Sequence, residues 1–593
     1  MEIFPDKRKL VGLVEQAHEG KLCLPEFQRD FVWTREGVAD LIRSVVRSYY
    51  IGSLLLLRTD PQDPPFAPAF LRGAKPLYAE PRPERLVLDG QQRLTAMLYA
   101  LTAPDLKLKD TSQRRWFFLD LGLLLEDIYN DEVVFDRSKR ELDGLDQDEV
   151  QYQRRILPCT RLLRQDDFLA WRDGLDDFLK VHEPENHEAF RAQWRSVWTK
   201  AVTGFQSFEA PVVELPAVDD KQSDGIGRVC AIFEKLNSTG VELSVYDLLG
   251  ARLYRHGIRL RSLWEESCEE HLRLAEWSEG KADTNKFGVL ILRTLALLRG
   301  LDPKPRILID LQPAEFERDW RRAARAMDRA LELLTLVGTD GFGVFDRKWL
   351  PGFGLIPVLA ALRAEIEDRS LGEGARADLR RWYWSNVFLE RYSSAVESKS
   401  RKDYADLTGR WAGKADEPAV FVEARARIGT DGYTIRDAAS FASAVYSGVF
   451  CLLALRGARD WGRGEDIRLQ ALQDHHIFPQ AYLRKRGVSQ KNLVNSIANR
   501  TLISDETNNR IKDRAPAAYL EDPVIFPAGP GESLLAPHFI TPQVISPMRE
   551  GTEALENDAA RPLLERFERA RERAIIDEIR RVCGVTVTGE DRG

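Results

Sequence analysis

An α+β fold dominated by helix is predicted by two features of this sequence. Short β-rich runs are concentrated in roughly the first 125 residues, and mostly amphipathic helical periods with brief Gly or Pro breaks follow from about 160 to 460. A third feature, a compact His- and Asn-bearing segment near residue 474, reads as two short strands and a helix.

In chain order, the first strand signal is Ile51–Leu57, a buried apolar run after a helix that ends near Tyr50. Pro61–Pro83 is rich in proline and reads as a surface loop. Arg85–Gly90 reads as a second strand ending in a turn. Gln91–Leu101 follows with Leu94, Met97, Leu98 and Leu101 on one helical face. Trp116–Leu123 is a further strand, and the charged stretch 130–155 reads as an exposed insertion. Helices are expected over Glu315–Val337, Gly352–Ile366 and Ala559–Arg581, and Pro523–Pro547 reads as a loop crossing the surface.

The chain has 593 residues, more than one core usually serves, which suggests roughly two to four domains. The boundaries read as 1–250, 251–440 and 441–593. Hydrophobic residues make up 44% and charged residues 30%, enough apolar side chains for sizeable cores. No run of about eighteen uncharged apolar residues exists, so no membrane span is predicted. The first residues lack the apolar centre of a secretory signal. Cysteines at 23, 159, 230, 268, 451 and 583 form no CxxC pair, which argues for a reducing, cytoplasmic setting and against a structural zinc site. The net charge of −7 argues against a protein that coats nucleic acid, yet a local basic footprint remains open. Arg484-Lys485-Arg486 and Arg510-Ile511-Lys512-Asp513-Arg514 supply such a footprint. Arg484, Lys485, Arg510 and Lys512 are the candidate phosphate contacts.

The two basic stretches flank Asp474-His475-His476-Ile477-Phe478-Pro479, Asn499-Arg500-Thr501-Leu502 and Thr507-Asn508-Asn509-Arg510-Ile511-Lys512. A one-metal phosphodiesterase needs a base for water, a hard cation on the phosphate and ligands for that cation. His476 suits the base, because imidazole titrates near neutrality. His475 and Asn508 suit the ligands of a Mg²⁺ or Mn²⁺ ion. Neighbouring strand residues face opposite sides, so a bend at the histidine pair is expected to aim both at one phosphate. Asn499 is placed to pin the loop after His476 through backbone hydrogen bonds. Asn508 is expected to open a helix Asn508–Tyr519, short or kinked at Pro516. Singly, each residue fits a structural role as well. Other histidine chemistry fits less well: HExxH is absent, and HHxxxD fails because position 480 is Gln.

In the N-terminal region, Leu24–Trp33 (LPEFQRDFVW) and Leu88–Thr95 (LDGQQRLT) stand out. The second lies at a strand–turn–helix junction, where helix amides favour an anion and the fork of Arg93 suits phosphate. Asp89 is placed to orient that arginine or a metal-bound water. A tight Asp-Gly turn before an ordinary helix explains the same residues. No P-loop or Rossmann fingerprint is present.

Asp474–Leu520, with NRTLISDETNN and KDRAPAAYL, resembles the C-terminal HNH domain of the GmrSD family of modification-dependent, type IV restriction enzymes, and is similar to the HNH half of SspE proteins. That resemblance implies His476 as base, His475 where Asp is commoner, Asn508 as second ligand and Asn509 if the register is displaced by one. PEFQRDFVW, Tyr50–Ser53, DGQQRLTAM and Phe233–Gly240 resemble the GmrS-type N-terminal domain, itself similar to the ParB/sulfiredoxin fold. It implies a nucleotide-binding or NTPase pocket of Gln28, Arg29, Asp89, Gly90, Gln91, Gln92, Arg93 and Asn237. Its NTP is GTP, CTP, UTP or ATP. The implied partner is modified phage DNA, and the implied role is an antiviral effector that nicks or cleaves it. Oligomeric state is open, a homo-oligomer included. The alternatives are a nucleotide-controlled DNA-binding regulator with an inactive HNH fold, and an NTPase whose HNH unit only binds. Redox chemistry of the sulfiredoxin kind is disfavoured, since no cysteine lies near Asp89–Arg93 in the sequence.

Overall fold

The computed structural model describes residues 4–26, 28, 31–185, 187–197, 202–217, 244–254, 256–279, 284–338, 340–464, 466–527 and 529–586. Arg29 and Asn237, both expected in the nucleotide pocket, lie outside these residues, as does most of the 233–248 motif.

The chain forms two compact units, Met1–Leu260 and Arg261–Gly593. In the first, strand β1 (Phe4–Lys9) leads into helix α1 (Leu10–Glu19), then β2 (Leu22–Pro25) and α2 (Arg35–Val46). Then come β3 (Leu54–Arg58), β4 (Pro68–Ala69), β5 (Arg85–Asp89) and α3 (Gln91–Thr102). These strands and β9 (Glu209–Leu215) make a six-stranded mixed sheet in the order β1-β9-β3-β5-β2-β4. Helices α1, α2 and α3 cover it with Leu13, Val14, Ile42, Val45, Leu94 and Met97, all buried. The β5–α3 junction turns at Gly90, whose φ of +91° only glycine adopts freely, and an added Cβ would meet Leu54 Cδ2 at 2.1 Å.

Pro61–Pro83 is not wholly a surface loop. It contributes β4 and buries Phe66 and Leu71, because proline is tolerated at a sheet edge. Nor is 130–155 an exposed insertion. It supplies β7 (Val134–Arg137) and helix α4 (Asp148–Arg154) and leads directly into β8 (Ile156–Pro158). β7 and β8 flank β6 (Trp116–Asp120) in an antiparallel sheet. Val134, Leu142 and Leu145 are buried there, spaced among charges that disguise them in the sequence.

The second unit stacks α5 (Thr284–Leu298), α6 (Phe316–Thr335), α7 (Leu355–Asp368), α8 (Glu373–Phe388) and α9 (Ala444–Leu455). α6 shows why: its inward face is Trp320, Ala323, Ala324, Met327, Ala330, Leu331 and Leu334 at helical spacing, and Arg and Asp fill the other face. Strands β10 (Gln473–His476) and β11 (Arg500–Ile503) form a separate two-stranded ladder, followed by α10 (Asp505–Ile511), α11 (Pro516–Leu520) and the long α12 (Asn557–Val582). The boundary expected at 440 falls inside this unit. Its physical cause is α12, whose C-terminal end bonds back into the helical body: Arg381 Nε donates to Cys583 O at 3.0 Å, and Arg580 Nε to Ile428 O at 3.2 Å.

Pro523–Pro547, expected on the surface, threads Ile525, Phe526, His538 and Val544 into the core. His538 is sealed there. Its Nε2–H donates to Arg459 O at 3.0 Å, so Nδ1 accepts from the Thr501 hydroxyl at 2.7 Å. Burial, with Arg571 nearby, pushes its pKa down to about 3. The unfolded chain binds a proton near the ordinary histidine value and the folded one does not. Stability contributed by neutral His538 is therefore full above that value and is lost as pH falls below it. We expect the urea midpoint to drop between about pH 7.5 and 5, and His538→Asn to flatten that slope. Parallel slopes in wild type and variant would show that His538 is not the group responsible.

Candidate nuclease site

β10 and β11 pair antiparallel with Asp474 opposite Leu502, His475 opposite Thr501 and His476 opposite Arg500. The ladder is regular through both histidines, so the bend expected at the pair is not there. Alternation sends the two rings to different partners. His475 Nε2 lies 3.1 Å from Asp505 Oδ1, at the start of α10. Burial lowers the His475 pKa, with Asp505 partly opposing it.

His476 faces the other way. Its Nε2 lies 2.9 Å from Asn495 Oδ1, and Arg500 Nη1 lies 2.8 Å from Nδ1 and 2.6 Å from Nε2. The set is satisfied if Nε2–H donates to Asn495 and Arg500 donates to the Nδ1 lone pair. Burial, then the positive charge of Arg500, pushes the His476 pKa down to about 4, so the ring is neutral at pH 7. Arg500 is aimed by Asp474, whose Oδ1 accepts from Nε at 2.5 Å, while the Tyr446 hydroxyl donates to Oδ2. Sequence inspection gave Arg500, Asn495 and Tyr446 no role, since only the strand register and the tertiary fold bring them to His476.

Asn499 is fully buried at the end of a short 3-10 turn, Ile497–Asn499. Its Oδ1 accepts from Phe478 N at 2.8 Å, and its Nδ2 donates to Phe478 O at 3.2 Å and Val494 O at 2.9 Å. The chain just past His476 is thus held at both faces of one residue. The turn itself hangs on Arg571 of α12, whose Nη1 donates to Ala498 O at 2.9 Å and Ile497 O at 3.2 Å.

The helix expected over Asn508–Tyr519 is two helices. α10 starts three residues earlier, capped by Ser504, whose hydroxyl accepts from Thr507 N at 3.1 Å. It stops at Lys512, which takes a left-handed φ of 48°, and Pro516 opens α11. Asn508 is therefore inside α10 and does not cap it. Asn508 is half-buried and Asn509 exposed, three and four residues after Asp505 and so on the same side of the helix. The start of α10 is anchored by Asp460, fully buried, whose oxygens accept from Ser504 N at 2.6 Å, Thr507 Oγ1 at 2.7 Å, Arg463 N at 2.8 Å and Gly462 N at 3.0 Å. Burial alone would raise that carboxyl, but these donors outweigh it and hold it below the usual range.

Of the basic residues, Arg484 and Lys512 are exposed. Lys485 is paired with Asp513, and Arg510 with Glu506 at 2.5 Å. Among the described residues, no three His, Cys, Asp or Glu side chains gather as a metal cage.

In the N-terminal unit, Arg93 donates from Nη1 to Ile51 O at 2.7 Å and from Nη2 to Ser53 O at 2.9 Å, with Asp89 Oδ2 3.5 Å away. Gln92 Oε1 accepts from Val32 N at 3.1 Å. Gln28 Nε2 donates to Val87 O at 2.5 Å and Leu88 O at 3.0 Å. Gly90 and Gln91 stand at the start of α3, beside Asp89 at the end of β5. These residues converge on the β5–α3 junction.

Residues 10–254 match the model of the GmrSD restriction endonuclease N-terminal domain. Over 600 aligned positions the chain is 31% identical to an uncharacterized protein of Methanocaldococcus jannaschii, covering 98% of this chain and 99% of that one. The chain thus shares its whole length with that archaeal protein, and its first part is a GmrSD restriction endonuclease N-terminal domain.

Proposed function

We propose that the Arg261–Gly593 unit nicks or cleaves DNA by a one-metal HNH mechanism, and that the Met1–Leu260 unit controls it as a nucleotide-binding module that senses modified phage DNA. The coarser statement, a restriction-system nuclease with DNA as partner, is supported by the GmrSD N-terminal domain at residues 10–254. One observation carries the finer one: a neutral His476 stands at the end of a strand whose continuation is clamped by the Asn499 amide.

In this reading His476 takes a proton from water at Nδ1. Arg500 covers that lone pair, so an arriving phosphate must first draw the guanidinium towards itself, which exposes the base only when substrate is present. Asn499 keeps the base in place. Arg484 and Lys512 steer the strand by charge, with Lys485 and Arg510 beside them. The imidazole of His475, the exposed Asp505 carboxylate beside it and the Asn508 amide offer nitrogen and oxygen donors of the kind Mg²⁺ or Mn²⁺ accepts. When bound, such an ion would supply charge neutralisation at the scissile phosphate, and the strand would have to bend at the histidine pair for His476 to reach the same phosphate. Asp89–Arg93, with Gln28, Arg29 and Asn237, would hold the NTP.

The regular ladder and the covered lone pair of His476 favour one other reading, a nucleotide-controlled DNA-binding regulator whose HNH-like unit binds without cutting. His476→Ala separates them. In the nuclease reading, metal-dependent nicking falls by about 10²- to 10⁴-fold while NTP turnover and thermal midpoint stay parental; unchanged cutting by the variant sinks the assignment. Asn499→Ala should act differently from Asn508→Ala. The first strands buried groups at Phe478 and Val494 and costs about 1–3 kcal/mol of stability. The second should leave the melting curve in place and raise the metal concentration needed for half-maximal cutting. Arg93→Ala, which releases the Ile51–Ser53 turn, should lower NTP hydrolysis at least about tenfold, roughly what removing one charge-assisted contact costs. Parental turnover in that variant would remove Arg93 from the pocket.

A further inference from the structure

The helical body meets the candidate site at the start of β10. Gln473, the first residue of that strand, accepts at Oε1 from Lys348 Nζ at 2.9 Å. By strand alternation Gln473 shares a face with His475, and Asp474 shares one with His476. Lys348 stands on a 3-10 turn, Arg347–Trp349, that is fixed on both sides. Asp346 caps the turn by accepting from Lys348 N at 2.9 Å, and Trp349 O accepts from Cys451 Sγ at 3.4 Å. The Trp349 ring is fully buried, its centroid 4.2 Å from that of Phe450.

Phe441 packs against the same ring, with centroids 4.9 Å apart, and yet is 50% exposed. Its loop is tied to the site twice. Ala438 O accepts from Ile497 N at 2.9 Å, in the turn that ends at Asn499. The Phe441 ring also meets the Tyr446 ring edge-on at 5.5 Å, and Tyr446 donates to Asp474.

Lys348 is exposed, and no carboxylate among the described residues pairs with it. An ammonium has three donors, so Lys348 can keep Gln473 and still bond a phosphate. Two acids near in the chain are engaged by other donors: Asp346 by its turn, and Glu390 by the Ser443 hydroxyl at 2.7 Å and Ala444 N at 3.1 Å. The feature is therefore one point charge and one half-open ring, and not a basic field. Trp349 keeps the two together, since Lys348 Nζ lies 5.5 Å from its ring centroid and Phe441 rests on it. A single strand of DNA offers the matching pair, a phosphate and a flat base, at every nucleotide.

We propose that this shelf holds an unpaired DNA strand beside the scissile phosphate, with a phosphate on Lys348 and a base stacked on Phe441. The inference rests on the reading that the Arg261–Gly593 unit acts on DNA. It gives the helical body a part in that reaction, which is to place the strand.

The test is equilibrium binding of a short fluorescein-labelled single strand to the full-length chain in EDTA, over a series of salt concentrations. Phe441→Leu keeps an apolar side chain on Trp349 but removes the flat face, and should weaken binding about fivefold or more. Phe441→Trp, which restores a flat face, should bind as the parent does. Lys348→Met should lower the slope of log affinity against log salt by about 0.7, the contribution of one single-strand phosphate. Parental affinity in Phe441→Leu, an equal loss in Phe441→Trp, a parental slope in Lys348→Met, or no binding by the parent chain overturns the shelf. Binding without divalent ions is read apart from cutting. A chain that shows these shifts yet never nicks refutes the nuclease reading and leaves the shelf standing, whereas one that nicks with parental binding in the Phe441→Leu and Lys348→Met variants keeps the nuclease and removes the shelf.

Discussion

A two-stranded ladder of four residue pairs cannot hold its own geometry in water. The candidate site nevertheless depends on it, and the interaction that makes it rigid is the buried amide of Asn499. Three hydrogen bonds from one side chain fix both the residue after Ile477 and the end of the Lys491–Val494 helix. Left unmade in a buried setting, each would cost about 1–3 kcal/mol, more than the ladder itself offers in return. The amide works only because its own turn is fixed, and that task falls to Arg571. A fully buried guanidinium is expensive, and here three backbone carbonyls, of Ile497, Ala498 and His538, solvate it in place of water. Glu568 nearby is pushed up to about 8 by burial, so it is mostly neutral at pH 7, and carbonyl dipoles carry the balance. A charge on the last long helix thus sets the position of a residue seventy positions earlier.

The opposite side of the ladder is organised by charge. Asp474 receives Arg500 and Tyr446, and Arg500 leans on His476. Burial would already keep the imidazole neutral, and the guanidinium reinforces it. The same contact hides the lone pair a base must use. If His476 is the base proposed above, the site is inert until something competes for Arg500, and a phosphate diester is an anion suited to do so. Under the proposed mechanism this describes a nuclease that waits for its substrate, in contrast to one with a permanently open base.

Much of the fold was legible where periodicity was clean. The α6 and α7 stretches, the β5–α3 junction and the long C-terminal helix lie within a few residues of the limits that apolar spacing and Gly90 suggest. The failures have a common physical origin. In 130–155 and 523–547 a few buried residues sit among charges and prolines, and no local period shows that Leu142, Leu145 or His538 faces a core assembled from distant segments. The candidate site meets the same limit. His475, His476, Asn499 and Asn508 announce themselves by order and spacing. Arg500 and Asp505 become neighbours of the histidines only through strand register and the return of α10. The helix boundary near Asn508 was misplaced because Ser504, as good an N-cap as asparagine, stands four residues before it and accepts from Thr507 N.

Arg93 teaches the converse. Its fork of donors suits a phosphate on paper, yet in the fold both terminal nitrogens face the carbonyls of Ile51 and Ser53. Gly52 between them has a φ of +87°, and a Cβ there would meet Arg93 Nη1 at 2.1 Å, so the arginine and the glycine define one another. An arginine engaged in this way shapes a pocket more than it binds within it. Any anion at this junction would then meet the start of α3, whose dipole favours negative charge, with Gly90 letting the chain approach closely. The invariable requirement at such a pocket is the turn, and the turn is what Arg93 holds.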